Sequence, residues 1–245
     1  MNNLVLVTGA AGGMGQAIAT QLLRDGYDVA AVDLNAAGLD ELARDRATHH
    51  LHTFKADLAD ESAVGALFQE LDSLDVPLTG IVNNAGTCLM GEFPEISANE
   101  LNQQMAANFS SAFYCCQHAI PRLLKSDGIK RIVNISSNGA YNFDVFDPPH
   151  YRASKAAMDT LTRDLARRYA TQKIVINSIA PAMTETPLFG VLDDDTLANA
   201  IAKMPHGEAM RPEQIAAWVG FLFSPAGDVA SGNVIVLNQG RDVRS

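Results

Sequence analysis

Short apolar-rich runs recur along the chain, separated by longer segments in which apolar and polar residues mix. The runs are Leu4–Val7, Val29–Val32, Leu51–Phe54, Ile81–Gly86, Arg131–Ile135, Ile174–Ile176 and Val234–Leu237. Such runs are typical of strands that are covered on both faces, as in a parallel sheet. The alternation predicts an α/β fold with a doubly wound parallel sheet and helices on both faces. For such a sheet we expect about seven strands in the order 3-2-1-4-5-6-7. We expect a single domain over residues 1–245.

The segments between the runs carry helix signals. The predicted helices are Met14–Arg24, Leu39–Ala47, one that begins near Asp60, Glu100–Lys125, one that carries Tyr151 and Lys155, and Pro212–Phe223. Ser97 and Glu100 form a capping box, and Pro212 occupies the first position of its helix, where proline is favoured. A loop over Phe143–Pro149 leads into the Tyr151 helix. Residues 187–211 mix apolar and acidic side chains, which predicts a short helical lid over a substrate rather than a core element.

Bulk composition excludes several classes of protein. A net charge of −10 leaves no basic surplus for nucleic acid. No apolar run approaches the ~18 residues of a membrane span, and the N-terminus shows no basic leader before the first strand. The cysteines are Cys88, Cys115 and Cys116, an odd number without metal-site spacing. We therefore expect a cytoplasmic protein with no metal site, no nucleic-acid partner and no membrane partner.

A glycine-rich turn joins the first strand to the first helix. Its glycines follow the spacing GxxxGxG at Gly9, Gly13 and Gly15. Glycine at such a turn lets the backbone approach a pyrophosphate, which the helix N-terminus stabilises. Glycine-rich turns are common, but the strand before this one and the helix after it strengthen the prediction of a dinucleotide site.

Asp33 ends the second strand, about 20 positions beyond the glycine turn. Its carboxylate would accept hydrogen bonds from the adenosine ribose, and at ~4 Å it would repel a 2′-phosphate by about 4 kcal/mol per unit charge. Neither Leu34 nor Asn35 supplies a cation that could offset this repulsion. The pattern therefore predicts NAD(H) rather than NADP(H). The alternative is that Asp33 only caps the following helix.

Tyr151 and Lys155 are four residues apart, which places them on one face of a helix, one turn apart. A free phenol with a pKa of ~10 is a poor base at neutral pH. An ammonium about 4 Å away would stabilise the phenolate by up to roughly 4 kcal/mol, enough to make it an acid/base catalyst. The alternative is a surface helix on which the two side chains merely share a face.

Together these motifs resemble the short-chain dehydrogenase/reductase family, over essentially the whole chain. The matching positions are Thr8-Gly-x-x-x-Gly-x-Gly15, Asp57, Asn83-Asn84-Ala85-Gly86, Asn108, Ser137, Tyr151-x-x-x-Lys155, Pro181 and Thr186. The resemblance implies a Rossmann-type fold and an NAD(H)-dependent oxidoreductase that interconverts a secondary alcohol and a ketone by hydride transfer. It also implies a small-molecule alcohol or ketone as substrate, and assembly as a homotetramer or a dimer.

The resemblance also assigns catalytic roles. Tyr151 would be the general acid/base, and Lys155 would lower the pKa of Tyr151 and bind the nicotinamide ribose. Ser137 would hydrogen-bond the substrate oxygen. Asn108 would hold a water of the proton relay, although an asparagine inside a helix could also be simply solvated.

The cofactor would bind along the whole edge of the sheet. The glycines would line the pyrophosphate, Asp57 the adenine edge and Asn84 the adenosine side. Thr184 and Thr186 would contact the nicotinamide carboxamide and the phosphate. The implied cofactor contacts are Gly9, Gly13, Met14, Gly15, Asp33, Asp57, Leu58, Asn84, Ala85, Gly86, Tyr151, Lys155, Pro181, Thr184 and Thr186.

Two departures from the family pattern bear on the site. The gap from Ser137 to Tyr151 is one residue longer than usual, which leaves Ser136 and Asn138 as alternatives to Ser137. Ala182 replaces the glycine that usually follows the proline, so this turn would be stiffer.

Within the family, the compact segment 187–211 resembles the 3-oxoacyl-carrier-protein reductase type. A 3-oxoacyl thioester reductase or a 3-hydroxyacyl dehydrogenase is therefore one expectation. Asp33 and the scarcity of basic residues that could dock an acidic carrier protein argue against it. The candidate patch consists of Arg122, Lys125, Lys130 and Arg131. The alternatives are a dehydrogenase of a small cyclic or aromatic diol and a non-catalytic dinucleotide sensor, which would have no need of a general base.

Overall fold

The computed structural model describes residues 3–46, 48–142 and 147–241. Its strands are β1 (Leu4–Thr8), β2 (Asp28–Asp33), β3 (Leu51–Lys55), β4 (Leu78–Asn83), β5 (Lys130–Ile135), β6 (Ile174–Pro181) and β7 (Val234–Leu237). They form one sheet in the order β3-β2-β1-β4-β5-β6-β7, and every pair of neighbours is parallel. The predicted fold class and strand order are confirmed.

Helices pack on both faces of this sheet. They are α1 (Gly13–Arg24), α2 (Ala36–Asp45), α3 (Glu61–Leu71), α4 (Ala98–Met105), α5 (Ser111–Leu123), α6 (Pro149–Tyr169), α7 (Asp194–Ala202) and α8 (Pro212–Phe223). A short 3₁₀ turn, Pro187–Val191, precedes α7. Within the described ranges, no helix combines the length and the hydropathy that a membrane span requires.

The alternation of side chains along β1 shows how the two cores form. Val5 and Val7 point into a cluster that includes residues of α1 and α8, such as Ile18 and Val219. Leu4 and Leu6 point into a second cluster, which includes residues of α3 and α5. Because successive side chains of a strand face opposite sides, a strand with a core on each side must be apolar throughout.

The segment predicted as one helix over Glu100–Lys125 is interrupted. The Ser97 capping box opens α4 as predicted, but α4 ends at Met105 and a π-helical turn follows over Ala106–Ser110. Asn108 lies within this turn and is 0% exposed. A π turn inserts an extra residue and redirects side chains, often at functional sites. The alternative of a solvated Asn108 is therefore wrong.

Other boundaries also differ from prediction; β4, for example, spans Leu78–Asn83 rather than Ile81–Gly86. The helix expected over Leu39–Ala47 begins earlier, at Ala36, because the Asn35 side chain caps it by accepting a hydrogen bond from the Gly38 N–H at 3.2 Å. Capping by Asn35 removes the alternative in which Asp33 is the cap. β6 continues to Pro181, beyond the predicted Ile174–Ile176, and all its residues are buried. Ala47 and the first part of the predicted Phe143–Pro149 loop, residues 143–146, lie outside the described residues.

Candidate active site

Polar residues meet at the carboxyl edge of the sheet, where the parallel strands β1, β4, β5 and β6 end side by side. Two cavities open along this edge. The first, here called the acidic cavity, is lined by Gly9, Asp33, Leu34, Ala56, Asp57, Leu58, Ala59, Ala85, Gly86, Thr87, Ala107 and Ser111. The second, here called the tyrosine cavity, is lined by Met14, Cys88, Met90, Ser136, Ser137, Asn138, Gly139, Asp147, Tyr151, Pro181, Ala182, Met183, Thr184, Thr186, Phe189, Leu192 and Arg241.

The glycine turn after β1 depends on two of its glycines. Gly9 has a φ of +64°, in the region that side chains disfavour. A Cβ on Gly15 would lie 2.0 Å from the Gly9 carbonyl oxygen, so only glycine fits there. Gly12, the N-cap of α1, offers no side-chain cap. The first N–H groups of α1 are therefore available to an anion such as a pyrophosphate.

Asp33 is held by the backbone on both sides. Its Oδ2 accepts a hydrogen bond from the Ala11 N–H at 2.9 Å, and its Oδ1 accepts one from the Asn35 N–H at 2.8 Å. These contacts fix the carboxylate between the glycine turn and the start of α2. The neighbouring Leu34 is 61% exposed and also lines the acidic cavity, where it supplies no positive charge.

Asn84 ties the end of β4 to the glycine turn. Its side-chain amide donates to the carbonyl oxygens of Thr8 and Gly9, at 3.0 and 3.1 Å. The Thr8 hydroxyl in turn accepts hydrogen bonds from the backbone N–H groups of Asn84 and Ala85, each at 3.0 Å. Asn84 lines neither cavity. It supports the acidic cavity from behind by holding two strand ends together.

Of the three alternatives Ser136, Ser137 and Asn138, it is Ser137 whose side chain is hydrogen-bonded to Tyr151. A hydrogen bond from the Ser137 side chain acts to lower the pKa of Tyr151. The Ser137 oxygen also accepts the Gly139 N–H at 3.0 Å, which orients the hydroxyl. Ser136 lines the same cavity, but its hydroxyl donates to the Lys155 carbonyl at 3.4 Å. Asn138 accepts a hydrogen bond from Asn238, also at 3.4 Å.

Tyr151 and Lys155 share one face of α6, but their electrostatics differ from the expectation. Burial, together with the Asp147 carboxylate, raises the pKa of Tyr151. Burial lowers the pKa of Lys155 to about 8, against the opposing effect of Asp159. The ammonium donates to the Ile135 carbonyl at 2.9 Å. The predicted lowering of the Tyr151 pKa by Lys155 is not found here, because desolvation of the phenol has the larger effect.

Asn108 lies beside Lys155 rather than in the tyrosine cavity. A Cβ on Gly86 would be 3.0 Å from Asn108 Oδ1 and 3.4 Å from Lys155 Nζ. The Asn108 amide donates to the Thr87 carbonyl and to Ser154 Oγ, both at 3.0 Å, and its oxygen accepts the Thr87 N–H at 2.8 Å. The π turn thus directs Asn108 to the end of β4, next to the ammonium.

Sequence reasoning missed two carboxylates. Asp159, 1% exposed, lies one turn beyond Lys155 on α6 and accepts hydrogen bonds from Ser178 Oγ at 2.6 Å and from the Tyr141 hydroxyl. The continued spacing of four residues after Tyr151 and Lys155 is a signal that could have found it. Asp147 lines the tyrosine cavity, and no motif points to it.

The structure brings together most of the predicted positions. Gly9, Asp33, Asp57, Leu58, Ala85 and Gly86 lie in the acidic cavity, and Met14, Ser137, Tyr151, Pro181, Thr184 and Thr186 in the tyrosine cavity. A Cβ on Gly13 would be 3.5 Å from Thr186 Cβ, so the glycine turn adjoins the second cavity. Gly13, Gly15, Asn84, Asn108 and Lys155 line neither cavity and act from behind the surface.

Comparison with known proteins gives a consistent family. A family model described as enoyl-(acyl carrier protein) reductase matches residues 9–242. D-threitol dehydrogenase of Mycolicibacterium smegmatis is 32% identical over 98% of this chain and 93% of its own length. The 3-oxoacyl-[acyl-carrier-protein] reductase FabG of Aquifex aeolicus is 28% identical, with 96% and 95% covered. The structure of a Pseudomonas aeruginosa RhlG/NADP active-site complex superposes with a TM-score of 0.91 and 31% identity, covering 98% of this chain and 96% of that one. The chain belongs to the short-chain dehydrogenase/reductase family.

Proposed function

We propose that the protein is an NAD(H)-dependent oxidoreductase that interconverts a secondary alcohol and a ketone. The observation that carries this proposal is the tyrosine cavity, in which Ser137 and Tyr151 are hydrogen-bonded to each other. Lys155 lies one turn further along α6. A bound nicotinamide would take up or supply the hydride.

The protein's side chains would handle the proton. In alcohol oxidation, the Tyr151 phenolate takes the proton of the substrate hydroxyl while Ser137 donates a hydrogen bond to the substrate oxygen. Reduction reverses these transfers. Because burial raises the pKa of Tyr151, the phenol stays protonated and ready to donate, which favours its role as an acid in ketone reduction. The Lys155 ammonium, which donates to the Ile135 carbonyl, would also bind the nicotinamide ribose.

NAD(H) is the proposed cofactor because of Asp33. Two backbone N–H groups hold its carboxylate at the acidic cavity. A ribose 2′-hydroxyl can donate to this carboxylate, whereas a 2′-phosphate meets a like charge. The neighbouring structure is an NADP complex, which shows the cofactor of that protein.

The structure favours a small alcohol over a carrier-protein thioester. Arg122 pairs with Asp72 at 2.6 Å, Arg131 pairs with Asp228, and Lys130 is buried. Lys130 also begins β5, so this patch lies at the amino end of the strand, opposite the edge that carries Tyr151. A carrier protein docked there could not present its thioester to Tyr151. The relative named D-threitol dehydrogenase supports a small hydroxylated substrate.

Residues 187–211 are proposed to form the lid of the single domain 1–245. Phe189 and Leu192 of this segment line the tyrosine cavity together with Met183. The segment consists of the 3₁₀ turn and α7, followed by the chain that leads to α8. Closing this lid would exclude water from the site.

A homotetramer, or a dimer, is the proposed assembly. Apolar side chains on two helices remain exposed: Phe113 on α5, and Trp218 and Phe221 on α8. Closed symmetry is the usual way to cover such surfaces. The cysteines are free thiols, as expected in the cytoplasm that we propose. Light scattering at micromolar concentration tests the assembly, and a monomer mass would refute it.

The test of function is a panel of secondary alcohols with NAD⁺ and of ketones and 3-oxoacyl thioesters with NADH, followed by NADH absorbance. We expect turnover of one or more small alcohols that is lost in Tyr151→Phe. NADH binding without turnover of any substrate would instead support the dinucleotide sensor. Turnover confined to acyl-carrier-protein thioesters would contradict the small-alcohol proposal.

A further inference from the structure

The tyrosine cavity contains a carboxylate that the hydride-transfer chemistry does not use. Asp147 lines this cavity, and its side chain raises the pKa of Tyr151. Among the residues that the structure describes, none donates a hydrogen bond to this carboxylate. Asp147 is partly buried in the cavity wall, so its carboxylate oxygens can still accept a hydrogen bond from a ligand in the cavity. Burial raises the pKa of Asp147, while Arg152 and Arg241 act in the opposite direction.

The backbone of Asp147 is held against the catalytic helix. Arg152, next to Tyr151 on α6, donates from Nε to the Asp147 carbonyl at 2.8 Å and from Nη1 to the Gly139 carbonyl at 3.2 Å. The same guanidinium also donates to the Asn142 carbonyl. Arg152 thus ties the backbone of Asp147, Gly139 and Asn142 to the helix that carries the catalytic tyrosine.

Gly139 leaves the space that the carboxylate occupies. A Cβ built on Gly139 would lie 2.3 Å from Asp147 Oδ2 and 3.2 Å from Ser137 Oγ. The two oxygens therefore cannot be further apart than the sum of these distances. This span fits a substrate with two neighbouring oxygens, one hydrogen-bonded to Ser137 and the other to Asp147, at ~2.7 Å each.

The charges around the cavity select the group that would bind. Arg241 lines the same cavity, so a cationic substrate group would meet a guanidinium as well as the carboxylate. An anionic group would meet Asp147. A neutral hydroxyl avoids both repulsions and can donate its proton to the carboxylate in a charge-assisted hydrogen bond.

We propose that Asp147 is a specificity-determining residue that accepts a hydrogen bond from a second substrate hydroxyl, so that the preferred substrate is a vicinal diol or the matching hydroxyketone. The reacting oxygen lies between Ser137 and Tyr151, and the second hydroxyl, on the adjacent carbon, reaches Asp147. This inference rests on the proposed alcohol dehydrogenase function and identifies its substrate class.

The test compares cyclohexanol with cyclohexane-1,2-diol, which carries one more hydroxyl. The wild type should favour the diol in kcat/KM by about 10-fold or more. Asp147→Asn should lower the ratio of kcat/KM for the diol to kcat/KM for cyclohexanol by about 10- to 100-fold. Asp127→Asn is the matched control, because Asp127 is exposed and precedes the amino end of β5. A ratio that Asp147→Asn leaves unchanged, or a wild type without diol preference, overturns the proposal.

Gly139→Ala provides a second variant that keeps the charge. Its Cβ must displace the Asp147 carboxylate, so the ratio should again fall, with the fold checked by circular dichroism and NADH binding. Calorimetric titration of both alcohols into enzyme mixed with NADH makes the same comparison without turnover. Diol binding that weakens in Asp147→Asn more than cyclohexanol binding supports the proposal, and equal weakening overturns it. If the enzyme shows no turnover but binds the diol in a way that depends on Asp147, the proposed function is refuted and the role of Asp147 in binding is not.

Discussion

The two cavities lie on one edge of one sheet, but one depends on backbone groups and the other on ionisable side chains. The acidic cavity depends on the backbone. Gly9 and Gly15 allow the tight turn, and the N–H groups of two neighbouring residues hold the Asp33 carboxylate. The tyrosine cavity depends on ionisable side chains, with Tyr151 in its wall and Lys155 buried behind it. Burial raises the pKa of Tyr151 and lowers that of Lys155 to about 8.

In the proposed function, this difference separates cofactor binding from acid/base chemistry within one fold. Backbone N–H groups carry no protons that titrate near neutrality, so a site made from them binds a dinucleotide over a wide pH range. Acid/base work instead needs groups whose protonation can change, and burial brings the lysine into that range. The predictions below test this division, from the largest expected effect to the smallest.

Tyr151→Phe should have the largest effect, and it should fall on chemistry alone. Phenylalanine keeps the ring and removes the proton donor, so kcat should drop by ~10²–10⁴-fold. The dissociation constant of NADH, measured by fluorescence titration, should stay within a few-fold of the wild-type value. Tyr169→Phe, at the far end of the same helix, is the control. Activity within a few-fold of wild type would remove Tyr151 from the catalytic role.

Lys155→Met should reveal the cost of burying an ammonium. The pKa of Lys155 falls from 10.5 to about 8 on folding, so between these values the unfolded chain binds more protons and stability rises with pH. The free energy of unfolding of the wild type is therefore about 3 kcal/mol lower below pH 8 than at pH 10.5. The stability of the variant relative to wild type should decline by that amount from pH 7 to 10.5.

Urea unfolding at several pH values measures this difference. Other buried groups whose raised pKa does not depend on Lys155, such as Tyr151 and Cys115, are common to both proteins and cancel in the comparison. If the difference in stability between the variant and the wild type is independent of pH, burial does not lower the pKa of Lys155. The charge of Lys155 would then not distinguish the tyrosine cavity from its neighbour.

Much of this division could be predicted from the sequence, because its signals are local. The glycine turn, Asp33 and the Tyr151–Lys155 pair each occupy one strand end or one helix turn. Asn108 was placed on a continuous helix, because nothing in its neighbours signals a π turn and burial comes from packing against other elements. The sequence does not reveal Asp147, because its role depends on Arg241, which is distant in sequence, and on Gly139, which no motif links to it.

Asp33→Ala should shift cofactor selection without touching the chemistry. We expect wild-type kcat/KM to favour NAD(H) by ~10²-fold or more and the variant to narrow the gap, mainly through KM. The variant also loses the anchors to Ala11 and Asn35, so some affinity for both cofactors should be lost. A wild type that uses NADPH as well as NADH would show that Asp33 does not face the ribose.

Gly13→Ala should have the smallest effect, and it tests whether the two cavities are coupled. Its Cβ would lie 3.2 Å from Pro187 Cδ, the first residue of the lid, so the lid must shift by a few tenths of an ångström. Gly12→Ala is the matched control, because its Cβ would make only an ordinary contact, 3.5 Å from the Gly9 carbonyl. We expect Gly13→Ala to raise the KM of the alcohol by roughly two- to fivefold, less than ~1 kcal/mol, while Gly12→Ala leaves it unchanged. If both variants change only the KM of NAD⁺, the glycine turn serves the acidic cavity alone and the lid closes independently of it.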